Sequence, residues 1–416
     1  MEEFMKTIKL GIFGLRRGSH FIENIMMHNG ELVAVCENNE ERLRNAVSKL
    51  PEKPAIYTDF DAFLEHDMDA VFLANCFHEH ASYAIRCLEK GLHVLTECTS
   101  NATMAEGVAL VRAVEKSKGI FMLAENYPFM QFNQEMYRVY QEGSLGRILY
   151  AEGEYNHPVD GSNTDSAKDL RPYAHHWRNF LPRSYYITHS LAPLMHITGA
   201  IPVRVTALPV YAPLDENIQN GSFVGDRAAI ITCLNHDHSV YRVTGCAAFG
   251  AEENSYRICC TKGQMENIRG GEGKVLLRYN AWDTPEGAQT ETCYKPEWPA
   301  ETKDLIERTG HGGADYFVIQ EFFDCIRTGR KPVFDAYFAT TCASVAILSH
   351  RSLLERGVPY DIPDFHKEED RKQYENDHLS PFYGGDGSTP TLPCCSNPDY
   401  RPSEEQYRRY LELTGE

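Results

Sequence analysis

The sequence predicts an α/β region followed by an α+β one: a doubly wound parallel sheet at the N-terminal end, then a mostly antiparallel open β-sheet domain with helices. Three observations carry this. From Lys9 to Glu125 short unbroken apolar runs alternate with helix-length amphipathic segments, as in parallel strands buried on both faces. After Glu125 the strand-like segments alternate polar and apolar, and no βαβ rhythm returns. At 416 residues, 42% hydrophobic and 11% aromatic, the chain is long enough to fill two cores.

Taken in order, the first strand is KLGIFGL, then ELVAVCE (31–37), AVFLANC (70–76), HVLTE (93–97) and IFMLAE (120–125). Between them HASYAIRCLEKG (80–91) and ATMAEGVALVRAVEKSKG (102–119) space their apolar residues for helices that stop at Gly91 and Gly119. A further helix runs through Glu142 to Gly143. ILYAEGEYN (148–156), AAIITCLN (228–235) and SVYRVTGCAAFG (239–250) read as strands, and helical spacing returns in 314–329 and 337–357. In the last fifty residues Ser403 followed by Gln406 forms a capping-box pattern that opens a terminal helix. The expected domains are 1–125, with the doubly wound sheet, 126–365, with the antiparallel sheet, and 366–416 as a C-terminal tail docked on its own subunit or a neighbour.

A formal charge of −18 disfavours nucleic acid and anionic membranes as partners. Neither a signal core before Gly14 nor an apolar run of roughly 20 residues is present. The 13 cysteines include no CxxC pair, which suits a reducing compartment. The adjacent pairs Cys259-Cys260 and Cys394-Cys395 read as incidental thiols. The expectation is a soluble, cytoplasmic protein without disulfides.

Gly11-Ile-Phe-Gly14-Leu-Arg-Arg-Gly18-Ser19 links the first strand to a helix, where glycines let backbone amides approach a pyrophosphate. Read as GxGxxG from Gly14, the second glycine is Arg16 and the third is Ser19, so alone the motif competes evenly with a plain tight turn. Context strengthens it, because the next strand ends on Glu37, about twenty residues on, where a carboxylate accepts ribose hydroxyls and repels a 2′-phosphate. The expected cofactor is NAD. Arg16 and Arg17 weigh the other way, since arginines there bind that extra phosphate or simply the pyrophosphate.

GIFGLRRG, the loop NCFHEH from Asn75 to His80, CLEKGLHVLTE, ENYPF at 125–129 and GHGGADYFVIQEF near 310–322 appear in an order that resembles the glucose-fructose oxidoreductase and inositol dehydrogenase family (Gfo/Idh/MocA). The resemblance covers roughly residues 9 to 365. It implies a Rossmann domain with cofactor contacts at Gly11, Gly14, Arg16, Arg17, Gly18, Glu37, Asn75, His80, Glu97 and Asn126, and a second domain whose sheet supports homo-oligomers. Where sugar dehydrogenases of that family carry Glu-Lys-Pro, this chain reads Glu97-Cys98-Thr99. The NAD-dependent α-N-acetylgalactosaminidase glycoside hydrolases also lack the lysine. The chain is similar to them in Glu125-Asn126, Tyr155-Asn156-His157, Trp177-Arg178 and Tyr186-Ile187-Thr188-His189.

That narrower resemblance implies a carbohydrate or glycoside substrate cleaved by C3 oxidation, C2 proton removal, elimination, water addition and re-reduction with recycled NAD. His189 is then the group at the C3 hydroxyl, against a structural histidine capping its helix. Tyr155 is the C2 base, against a strand tyrosine packing on the sheet. His157, on Tyr155's face, is acid, base or metal ligand. Arg178 holds a substrate oxygen or enolate, against an exposed salt bridge. Tyr186 donates to the sugar; Glu125 accepts a hydroxyl or orients a neighbour; His311 touches the substrate or supports a residue that does. His157, His189 and His311 lack HxH or HExxH spacing, and no metal is assigned. The alternatives are an NAD-dependent sugar or glycoside 3-dehydrogenase releasing NADH, and a noncatalytic NAD-binding sensor or partner protein.

Overall fold

The structure is a computed structural model describing residues 6–48, 50–158, 169–213, 222–385 and 387–416. Residues 1–5, part of the segment read above for a signal core, lie outside it. The chain forms two compact units that cross the expected boundaries. The first takes Met1–Gln131, Glu297–Ala343 and Phe365–Asn376; the second takes Phe132–Pro296, Ser344–Asp364 and Asp377–Glu416.

In the first unit β1 (Ile8–Phe13), β2 (Gly30–Cys36), β3 (Ala55–Tyr57), β4 (Ala70–Leu73), β5 (His93–Thr96) and β6 (Phe121–Leu123) form one sheet in the order β3-β2-β1-β4-β5-β6. Every pairing is parallel. The apolar runs are there because both sheet faces are covered: all four residues of β4 are buried. Three-residue β3, at the sheet edge, is too short to leave a pattern in the sequence. The helix Met104–Lys116 starts on a capping box between Thr103 and Glu106. Residues far along the chain return here because the helix Ala314–Thr328 packs back. Tyr316 meets His28 with ring centroids 4.3 Å apart, and Arg327 Nη2 donates to His28 O at 2.7 Å.

The second unit carries β7 (Ile148–Asn156), β8 (Pro202–Tyr211), β9 (Asp226–Asn235), β10 (Val240–Thr244), β11 (Glu253–Cys260), β12 (Gly263–Asn267), β13 (Val275–Tyr279), β14 (Glu291–Tyr294) and β15 (Tyr360–Asp361). Their order is β14-β13-β12-β11-β7-β10-β9-β8-β15. Pairing is antiparallel except between β7 and β10. One face is packed by the helix Thr188–Thr198, whose backbone comes so near that a Cβ on Gly153 would stand 2.0 Å from Ser190 O. The other face carries Glu152 and Glu154, ion-paired to Arg242, Arg257 and Arg269. The strand expected through 239–250 stops at Thr244, because the backbone then turns to other partners: Cys246 N donates to Tyr186 O and Ala247 N to Tyr155 O.

The terminal helix Glu404–Thr414 has the Ser403–Gln406 capping box, and it buries Tyr410, whose hydroxyl donates to Arg171 O and Tyr173 O at 2.9 and 2.8 Å. All thirteen cysteines are free thiols. Among the described residues, no helix is long and apolar enough to cross a membrane.

Candidate active site

In the first unit the chain leaves β1 at Gly14, with φ of 92°, where a Cβ would stand 2.4 Å from Ala74 O. The helix begins at Leu15, and Gly18 lies within it, against Ile12. Gly11 lies inside β1, where a Cβ would meet Met68 and Phe63, so it serves packing on the sheet. Glu37 stands just past β2, nearly buried. Its Oε2 accepts from Leu15 N at 2.9 Å and its Oε1 from Asn39 N at 3.0 Å, so the carboxylate braces the start of the glycine-loop helix. Arg42 Nη1 is 3.5 Å from it.

Beyond β4, the Asn75 Oδ1 is buried with no hydrogen-bond partner among the described residues, an acceptor left for a ligand donor. His80 is buried, with Nδ1 2.7 Å from Thr99 O, and burial lowers its pKa and keeps it neutral. An open glycine turn, a carboxylate at the end of β2 and an orphaned amide oxygen fit a dinucleotide.

Arg17 is turned away from any 2′-phosphate role. Its Nε donates to Glu97 Oε1 at 2.9 Å and its two terminal nitrogens to Asp315 at 3.1 and 3.0 Å, with the guanidinium over Phe21. Asp315 is fully buried and is the hub here, accepting also from Asn126 Nδ2 at 2.8 Å and lying 3.1 Å from His311 Nδ1. Burial alone raises a carboxylate's pKa; the His311 and Arg17 contacts more than offset it and hold Asp315 well below the usual range. A Cβ on Gly310 would stand 2.4 Å from Asp315 Oδ2, which explains the glycine before His311. Glu125 is fully buried: Oε1 accepts from Tyr127 N and Oε2 from the Cys98 thiol, both at 3.1 Å. Cys98, at the position of the missing lysine, is thus a hydrogen-bond donor to a buried carboxylate.

In the second unit the structure brings Tyr155, His157, Tyr186 and His189 together. Tyr155 and His189 are each 8% exposed, buried enough to fix their rings and open enough to be reached. Their ring centroids are 5.0 Å apart at 88°. Tyr186 meets His189 at 5.1 Å and Tyr155 at 5.9 Å, and His157 stacks on Tyr155 at 5.6 Å. β7 supplies Tyr155, and the first turn of the helix Thr188–Thr198 supplies His189, whose carbonyl accepts from Tyr256 OH at 2.5 Å. His157, one residue past β7, is half-exposed with Nδ1 3.2 Å from Glu252. Arg178 lies over the Trp177 ring, its Cζ 4.3 Å from the centroid. Among the described residues, no group of three His, Cys, Asp or Glu side chains is placed to hold a metal ion.

Residues 8–125 match the model described as the oxidoreductase family, NAD-binding Rossmann fold, and residues 254–372 match the glycosyl hydrolase 109 C-terminal domain. The N-terminal part of the chain is therefore an NAD-binding Rossmann domain of the Gfo/Idh/MocA type, with NAD as cofactor. Two of its relatives are glycosyl hydrolase family 109 proteins. A glycosyl hydrolase family 109 protein of Streptomyces niveus is 25% identical over 410 residues, covering 89% of this chain and 80% of that one. Glycosyl hydrolase family 109 protein 1 of Bacteroides thetaiotaomicron is 22% identical, over 87% and 85%. Among solved structures, levoglucosan dehydrogenase in complex with NADH and levoglucosan has a TM-score of 0.73 at 18% identity, covering 86% of this chain and 100% of that chain. UDP-N-acetylglucosamine 3-dehydrogenase from Acidithiobacillus ferrooxidans reaches 0.64 at 17%, over 84% and 98%. These two share the fold.

Sequence reasoning assigned Asp315 no role. Its partners Arg17, Glu97 and Asn126 lie in segments remote along the chain, and no local pattern reports such a meeting.

Proposed function

We propose that this protein is an NAD-recycling glycosidase. The observation that carries the reading is the convergence of the Tyr155, Tyr186 and His189 rings in a unit whose relatives are named as family 109 hydrolases. Gly14, Gly18, Glu37 and Asn75 would hold NAD, which when bound would supply a hydride acceptor for C3 and be regenerated in the same turnover. His189 takes the proton of the C3 hydroxyl. With C3 at the ketone level the C2 proton is acidified, and Tyr155 removes it. His157 serves as the acid at the departing oxygen, and Tyr186 and Arg178 hold sugar oxygens. Glu125 and Cys98, bonded to each other, orient that region of the first unit where a dehydrogenase would carry its lysine.

The test is incubation with nitrophenyl glycosides and NAD. Phenol release without net NADH supports the glycosidase, NADH accumulation makes the protein a sugar 3-dehydrogenase, and neither makes it a binding protein. We also propose a cytoplasmic homo-oligomer, supported by the open sheet face with its charged ladder and by the thirteen free thiols. Its check is sedimentation: a mass near the 47.3 kDa monomer at micromolar concentration excludes it.

A further inference from the structure

At the tip of the β13–β14 hairpin in the second unit, Trp282 is 84% exposed. The tip is held in shape: Asp283 N donates to Asn280 O at 2.9 Å, Asn280 Nδ2 to Asp283 Oδ2 at 3.0 Å, and Asn280 N to Lys262 O at 2.8 Å on the neighbouring turn. An indole kept in water by a firm turn forgoes the burial that an aromatic side chain ordinarily gains, and tryptophan is among the residues that anchor protein contacts. The same unit holds a cavity of about 450 Å³ whose lining includes Phe180, Phe223, Tyr383, Cys394, Tyr400 and Arg401. Phe180 and Phe223 stack at 4.9 Å, Tyr383 meets Phe180 edge-on at 5.0 Å, and Arg401 Cζ stands 5.9 Å from the Phe223 centroid. A cavity of this size and aromatic lining takes a drug-sized molecule, and an indole is smaller.

Trp282 does not reach the cavity of its own chain. Phe223 lines the cavity and Gly225 N donates to Cys395 Sγ at 3.2 Å, which sets the cavity beside Asp226 at the start of β9. From β13 to β9 is five strand spacings, about 24 Å. The strand ends are opposed as well. Tyr279, before the tip, pairs with Gly263, next to the turn that follows Cys260; Cys260 pairs with Ile148 at the start of β7. At that end of the sheet Val240 pairs with Tyr150 and Leu234, so Asp226 lies at the other end. Tip and cavity thus occupy diagonal corners, which a two-fold axis along the other diagonal exchanges between two stacked copies. Charge agrees with such a meeting. Residues 280–290 carry Asp283 and Glu286 and no cation, whereas the cavity lining, among the described residues, carries Arg401 and no carboxylate.

We infer that two copies of this chain exchange Trp282, each indole entering the other copy's cavity between Phe180, Phe223 and Arg401, with Glu286 facing Arg401. The inference names a contact within the homo-oligomer proposed above and rests on that reading. Sedimentation of the full chain with NAD, from nanomolar to micromolar concentration, tests it. Wild type associates. Trp282→Ala raises the dissociation constant at least about a hundredfold, because each pair loses two anchors. Its thermal midpoint, at a dilution that keeps both proteins monomeric, stays that of wild type, because the side chain is exposed in the single chain. Arg401→Glu weakens association about tenfold, and adding Glu286→Arg to the same chain restores most of it. Tryptophan emission moves to the red when wild type is diluted below its dissociation constant, a shift that Trp282→Phe lacks. A wild type that is monomeric throughout overturns both the exchange and the oligomer. An oligomer whose dissociation constant is unchanged by Trp282→Ala overturns the exchange alone and opens the cavity to a free ligand, and a double reversal that associates no more tightly than Arg401→Glu also overturns it.

Discussion

The two units gather their polar side chains in different ways. Arg17 in the first is enclosed by Glu97 and Asp315, and Asp315 is in turn bonded by Asn126 and His311. Tyr155, Tyr186 and His189 in the second meet ring against ring. A cation taken out of water is tolerated only when an opposite charge and good hydrogen bonds come with it. The first cluster is complete within the chain and therefore works as a structural lock behind the cofactor loop. The second leaves Tyr155 and His189 each 8% exposed, so that a substrate can reach them.

The largest expected effect comes from breaking the complete cluster. Asp315→Ala strands Arg17 and removes partners from Asn126 and His311, and should cost about 3–5 kcal/mol, read from urea unfolding; a loss below about 1 kcal/mol would remove the contrast between the units. The same pair sets an acid limit. Asp315 ionises more readily folded than unfolded, so its contribution is full above the ordinary carboxylate value near 4 and fades as pH falls from there through the lower folded value. Asp315→Asn should flatten that part of the stability–pH curve.

Next in size is chemistry in the second unit. Tyr155→Phe should slow bond cleavage by about a hundredfold or more while transient NADH formation continues, and His189→Ala should abolish both. Solvent deuterium should enter C2 in the wild type. Cleavage that survives both substitutions without exchange at C2 would end the elimination mechanism.

Smaller still is cofactor choice. Because Arg17 is already spent on Glu97 and Asp315, Arg17→Gln should leave the NAD over NADP ratio unchanged, whereas Glu37→Ser should narrow it by about tenfold, near 1.4 kcal/mol. Equilibrium titration with both nucleotides decides it, and a ratio that moves with Arg17 instead would place the 2′-phosphate contact there. The smallest effect is local: Ser403→Ala should cost about 1 kcal/mol by removing the cap of the terminal helix, seen as a lower unfolding midpoint.

How much of this was legible in the sequence varies by the kind of constraint. The parallel strands of the first unit were plain, because burial on both faces forces unbroken apolar runs. The boundaries of β7 and the capping of the terminal helix were also readable, since alternation and a Ser-x-x-Gln spacing are local. β3, β12 and β14 were not, being three to five residues long and largely half-exposed. Tyr155, His157, Tyr186 and His189 were singled out as candidates through motif order, and in the fold Tyr155, Tyr186 and His189 lie within 6 Å of one another while His157 stacks on Tyr155.

By itself, then, the sequence determined what depends on neighbours along the chain: strand and helix periods, the glycine turn at Gly14, the acid at the end of β2, the absence of a lysine at Cys98. Only the tertiary structure decided which side chains meet. Asp315 reaches Arg17 across 298 positions, and the Tyr155 ring of β7 meets His189 of a later helix. The energy of a buried charge is set by whatever stands within a few ångströms of it, and chain separation says nothing about that distance.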